Sequence, residues 1–403
     1  MALIILILNI IKLIFPKYLS KKTQTIKINY ESEITITIMG KGEQYILSNF
    51  SEEIFGQQTS FNNLPSKILI NGINKNEIER KYNLEEDINN ITMIWESQLT
   101  NCNVMFYGLS NITFIDLSKF DSSKLLDMKY MFYGCTSLTS INFNNFITSS
   151  VENMANLFYN CSSLTTLNLN YFNTSKVYNM EQMFYGCSSL ELLDLSNFNT
   201  SIVVNFASMF YDCNLLTSIN LNNIITSSAT NMGSMFYGCN SLKNLDLNSF
   251  TTSLVNNMFS MFYDCNSLIS LNLNSFDTSN VINMDKLFYG CSSLKSLELK
   301  NFNTESVIYM SSMFSNCNSL LSLNLNSFIT SSVQNMEQMF KDCHSIKSLN
   351  LRNFNTSLIT NMNYMFYNCY SLISLDISSF NTSSVINMDC ILSMLLINFF
   401  KFK

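Results

Sequence analysis

Ten cysteines, Cys135, Cys161, Cys187, Cys213, Cys239, Cys265, Cys291, Cys317, Cys343 and Cys369, fall 26 residues apart without an insertion or deletion. A fixed period of this size is the signature of a solenoid, in which each repeat lies on its neighbour and cannot bury its apolar face alone. This register constrains most of the 403 residues. It also moves the functional question from an active site to a surface.

One unit runs from Cys161 through Leu164, Leu167, Leu169, Phe172, Thr174, Ser175, Val177, Asn179, Met180, Met183, Phe184 and Tyr185 to Gly186. Leu167 and Leu169 alternate with polar residues, as a short strand with one buried face does. Phe172 and Val177 continue inward around a bend that Thr174 and Ser175 can hold by hydroxyl-to-backbone bonds. Met180, Met183 and Phe184 are spaced i, i+3, i+4, which predicts one face of a helical turn. Asn179 stands before them as an N-cap, and Asn recurs there at Asn153, Asn205, Asn231, Asn257, Asn283, Asn335 and Asn361. The expected fold is therefore an α/β repeat solenoid of about eleven rungs, each a short parallel strand plus a short helix. A helix is wider than a strand pair, so stacking the two should curve the solenoid with strands on the concave side. At this spacing the methionines are core, not a metal or cofactor site.

Before the period begins near Asn101, residues 24–100 hold short Ile- and Thr-rich runs such as SEITITIM and NNITMIW, which read as β-strands. They predict a small antiparallel cap on the first rung, with Met39-Gly40-Lys41-Gly42 as a turn and Trp95 in the packing. The expected organisation is an apolar segment at 1–23, the cap at 24–100, the solenoid at 101–392 and a degenerate tail at 393–403. The apolar start, MALIILILNIIKLIF, reads as a secretory signal or anchor or as a buried strand.

Net charge is −6 and no Lys/Arg run interrupts the repeat, which sets nucleic acid aside as a partner. No CxxC occurs and the sole histidine is His344, so no metal site is expected. Buried thiols or inter-rung disulfides both fit the cysteine file. With no nucleophile elbow and no Gly-rich phosphate loop, no enzyme and no cofactor are expected.

Two outward rows are candidates for function. The strand's outward slot holds Asp116, Asn142, Asn168, Asp194, Asn220, Asp246, Asn272, Glu298, Asn324, Asn350 and Asp376. Such a ladder can hydrogen-bond a repetitive partner, or its members can bond one another. The second row is aromatic: Tyr107, Tyr133, Tyr159, Tyr185, Tyr211, Tyr237, Tyr263 and Tyr289, with Tyr367 after a break at Ser315 and Lys341. Tyr suits contact surfaces, and it can equally pack ring on ring between rungs. Sequons at Asn173, Asn199, Asn355 and Asn381 fall at the bend.

The unit LxLxxFxTSxVxNMxxMFYxCxSL, best matched from Leu195 to Leu216 and from Leu351 to Leu372, resembles the repeat of BspA-type leucine-rich-repeat surface proteins. The resemblance covers about residues 101–392. It implies a surface-exposed or secreted, non-enzymatic protein that binds a protein or glycan, or serves adhesion. An intracellular protein-interaction scaffold in the cytoplasm is the alternative. Self-association, and membrane contact through the apolar start, remain open.

Overall fold

The computed structural model describes residues 31–54 and 57–392. The chain divides into two units, residues 1–31 and residues 32–403. The apolar start and the tail at 393–403 lie outside the described residues.

Among the described residues eight strands precede the repeats: β1 (Ser32–Met39), β2 (Gly42–Tyr45), β3 (Ser51–Ile54), β4 (Gln57–Ser60), β5 (Lys67–Ile70), β6 (Ile73–Asn74), β7 (Lys81–Leu84) and β8 (Ile88–Trp95). In β1 the isoleucines at 34, 36 and 38 are fully buried while their neighbours are not, the period-2 pattern of a one-faced strand. β1 pairs antiparallel with β8 on one side and with β9 (Ile112–Lys119), the first rung's strand, on the other. The cap is thus hydrogen-bonded into the solenoid and covers its first strand edge, which would otherwise template foreign pairing. Trp95 is buried against Phe120, ring centroids 6.2 Å apart, and its indole N–H donates to the Asn63 carbonyl at 2.8 Å.

Beyond β9 the leucine strands are short: β10 (Ser140–Asn142), β11 (Leu192–Asp194), β12 (Ser218–Asn220), β13 (Ser296–Leu297), β14 (Ser322–Leu323), β15 (Ser348–Asn350) and β16 (Ser374–Asp376). They pair in parallel as β9–β10, β11–β12, β13–β14 and β15–β16, with the ladder open between the couples. The ladder that runs unbroken lies elsewhere. It passes through the Asn slot, from Asn101↔Asp127 through Asn153↔Asn179 to Asn361↔Asn387.

The expected helix in each rung does not form: no helix occurs among the described residues. From Met180 onward every second amide points to the next rung. The N–H groups of Met180, Gln182, Phe184 and Gly186 donate to the carbonyls of Asn205, Ala207, Met209 and Tyr211 at 2.7–3.2 Å. The alternate amides of Met183, Tyr185 and Cys187 close turns on Met180, Gln182 and Phe184. Two left-handed residues per rung, Gln182 (φ 55°) and Gly186 (φ 68°), turn the chain out of the helical path. Asn179 does cap, accepting the Glu181 N–H at 2.9 Å, but what it opens is this turn series. The i, i+3, i+4 spacing reported which side chains point inward, and successive turns satisfy it as well as a helix does: Met180, Met183 and Phe184 are fully buried.

Four internal files hold the rungs together. From Thr148 to Thr356 the Thr hydroxyls are buried and reach the next rung: Thr174 Oγ1 donates to the Asn199 carbonyl at 2.9 Å and accepts the Asn199 N–H at 2.8 Å. Each cysteine of the 26-residue file is buried and free, and its Sγ donates to the Phe carbonyl of the preceding rung, as Cys187 does to Phe158 at 3.2 Å. The two Phe files stack ring over ring, for instance Phe236 on Phe262 and Phe328 on Phe354.

Candidate functional site

In the strand-face row the side-chain oxygen of each Asx residue is committed to its own rung. Asp116, Asn142, Asn168, Asp194, Asn220, Asp246, Asn272, Asn324, Asn350 and Asp376 each accept the N–H two residues on, at 2.9–3.3 Å. These Asx turns end the strand and start the bend. Glu298, in the same row, is exposed. Bonds between rungs are fewer: Asn142 Nδ2 donates to Asp116 at 3.0 Å, and the Arg352 guanidinium reaches Asp376 at 2.6 Å. The Ser378 hydroxyl and N–H, helped by Arg352, bring the Asp376 carboxyl down to about 2. Asp194 is lowered by the Ser196 N–H and hydroxyl. The row is a set of fixed turns, with amide N–H₂ groups facing out.

Where the leucine ladder opens, the face has a depression of about 500 Å³ lined by Thr166–Asn170, Leu192–Asp194, Ser218 and Asn220. It brings Asn168, Asp194 and Asn220 of the expected row around Leu192, which is 62 % exposed. Sequence reasoning passed over Leu192. The signal was present, since the equivalent slot in the other cysteine-bearing repeats is Ser, Thr or Asn.

The tyrosine row is a continuous column. Tyr107, Tyr133, Tyr159, Tyr185, Tyr211, Tyr237, Tyr263 and Tyr289 stack with centroids 4.1–4.5 Å apart and planes within 7° of parallel. Phe50 of the cap closes its first end at 4.2 Å from Tyr107. Burial, with neighbouring phenols adding to it, pushes Tyr185 and Tyr237 up to about 12. Each interior ring face is covered by the next ring, so the column shows a partner only edges and hydroxyls.

Parallel rings in repeating conformers report the local rung-to-rung translation. It is 4.1–4.5 Å at the tyrosines, 5.4–6.0 Å at the Phe184 file and 6.0–6.5 Å at the Phe172 file. A paired strand needs about 4.8 Å. The turn side is therefore the tight side, and the wider spacing toward the bend accompanies the broken leucine ladder. The expected inner position of the strands rested on a helix that is absent.

The sequence matches the family described as "Mycoplasma protein of unknown function, DUF285" over residues 75–191, 163–271, 260–372 and 342–396. The chain belongs to this family. No curated protein matches it. Two solved structures align with it: a TLR13–ssRNA13 complex (17 % identity, 66 % of this chain and 50 % of that one, TM-score 0.26) and the plant peptide hormone receptor RGFR1 with RGF2 (16 %, 65 % and 51 %, TM-score 0.17). The chain spans about half the length of either matched chain.

Proposed function

We propose that this chain is a non-enzymatic binding protein that presents the Asx-lined strand face to a protein or glycan partner, anchored at Leu192. One observation carries the reading: an exposed apolar side chain sits in a depression among polar groups already held by their own turns. Binding hot spots have this form, an anchor within a rim of weaker polar contacts. Ordering a free side chain on binding costs about 0.5–1.5 kcal/mol, and residues fixed beforehand avoid most of it.

The BspA-type resemblance supports display at the cell surface or outside the cell, with a role in adhesion. The file of buried free thiols supports the second reading, an intracellular interaction scaffold, because reducing compartments keep thiols free. A membrane-impermeant amine label on intact cells separates the two: a protein that stays unlabelled until lysis refutes surface display. For the binding face, the full chain is screened on glycan and protein arrays, and its ligands are rescreened with Leu192→Asp. The variant should lose them at an unchanged melting temperature. Undiminished binding by the variant would refute the assigned site.

A further inference from the structure

The tyrosine column has a chemistry that surface recognition does not use. Seven ring-to-ring gaps of 4.1–4.5 Å join eight phenols without interruption. All eight phenols are half-buried, so each keeps contact with solvent. An electron can pass between overlapping faces while each half-buried phenol exchanges its proton with water. At its ends the column meets groups that are hard to oxidise, Phe50 on one side and the buried Ser315 slot on the other.

We propose that this column is an electron relay that shares a one-electron oxidising equivalent among its tyrosines. A small one-electron oxidant, such as the azide radical, takes an electron from an accessible phenol and becomes its anion. The phenolic proton goes to water, leaving a neutral phenoxyl. The next step is degenerate: the Tyr159 phenoxyl takes an electron from the stacked Tyr185 ring and a proton from water, while Tyr185 gives its own proton to water, restoring Tyr159–OH and leaving the phenoxyl on Tyr185. One O–H bond forms, one breaks, and no further oxidant is needed.

Two features favour transfer over damage. Coupling of two phenoxyls makes a carbon–carbon bond in the plane of both rings, and parallel stacked faces hold those planes apart. The carboxylates of Asp212 and Asp264 lie beside the column's middle, where they act on Tyr185, Tyr211, Tyr237 and Tyr263. Their charge favours an electron-deficient ring there. Beneath lies a core rich in Met and Cys, such as Met183, Met209 and Cys187, whose sulfurs irreversible oxidation would harm.

The test uses a ruthenium photo-oxidant tethered at Thr136→Cys, an exposed site next to Tyr133, in a Cys390→Ser background that removes the exposed native thiol. 3-Aminotyrosine placed at position 263 is the reporter, since its radical has a distinct electron paramagnetic resonance spectrum. With the column intact, each flash should yield the aminotyrosyl radical within the same molecule. Tyr211→Phe keeps the ring stack but removes one oxidisable phenol, and the signal should be lost to the level given by untethered photo-oxidant. An equal yield from both proteins, or no reporter radical with the column intact and the melting temperature unchanged, would overturn the relay.

Discussion

Gly238 and Gly134 occupy the same slot of two rungs with the same backbone, φ 70° in both. Alanine at either position meets the left-handed penalty of about 1–2 kcal/mol, offset by about 0.4–1 kcal/mol from a stiffer unfolded chain. At Gly134 little else opposes it, because an added Cβ would lie 3.6 Å from Gly108 Cα, an ordinary contact. At Gly238 the Cβ would lie 2.2 Å from the Asp212 carboxylate oxygen, which leans over it from the preceding rung. Asp212 must then leave its rotamer, which costs about 0.5–1.5 kcal/mol more. Gly134→Ala should thus destabilise by about 0.5–1 kcal/mol and Gly238→Ala by about 1–2.5 kcal/mol. Urea unfolding of both variants, each repeated in an Asp212→Ala background, measures the difference. The extra cost should vanish only for Gly238, as a coupling energy in the double-mutant cycle. Equal costs at the two glycines, or a Gly238 cost that ignores Asp212, would refute the reasoning.

Leu247→Asp puts an unpaired charge at a fully buried site and should destabilise by several kcal/mol, about 3 or more, whereas Asn248→Ala on the exposed side should be nearly silent; equal melting temperatures would contradict the strand's facing. Among the described residues a thiol reagent should modify Cys390 in the native protein and the other eleven cysteines only on unfolding, because burial has pushed thiols such as Cys187, Cys265 and Cys317 up to about 12. Stability should fall as pH rises from 10 toward 12. Tyr185 and Tyr237 ionise near 10.0 when unfolded but near 12 when folded, so their contribution is complete below 10 and lost through that window. Urea midpoints that stay level from pH 9 to 11.5 would count against the buried column.

The period, the inward files and the outward rows were all legible in the sequence, because one-dimensional stacking makes a residue's environment a function of its slot. Leu169, Phe172, Met180 and Phe184 are buried as their spacing required. The alternation of Asn160, Gly186, Asp212, Gly238, Asp264 and Gly290 was there to be read as well. Its meaning was not, since it depends on an Asn or Asp side chain lying over the glycine of the following rung.

What the tertiary structure alone decided is where the backbone hydrogen bonds go. Helix and turn series bury the same side chains at i, i+3 and i+4, so side-chain pattern cannot separate them. Only the neighbouring rung, offering a carbonyl to every second amide of Met180–Gly186, tips the choice. The same bonds set the tight side of the stack, bring the tyrosines into contact and open the leucine ladder beside Leu192. Slot identity is a property of the chain, whereas the distance between slots is settled only when the rungs close on each other.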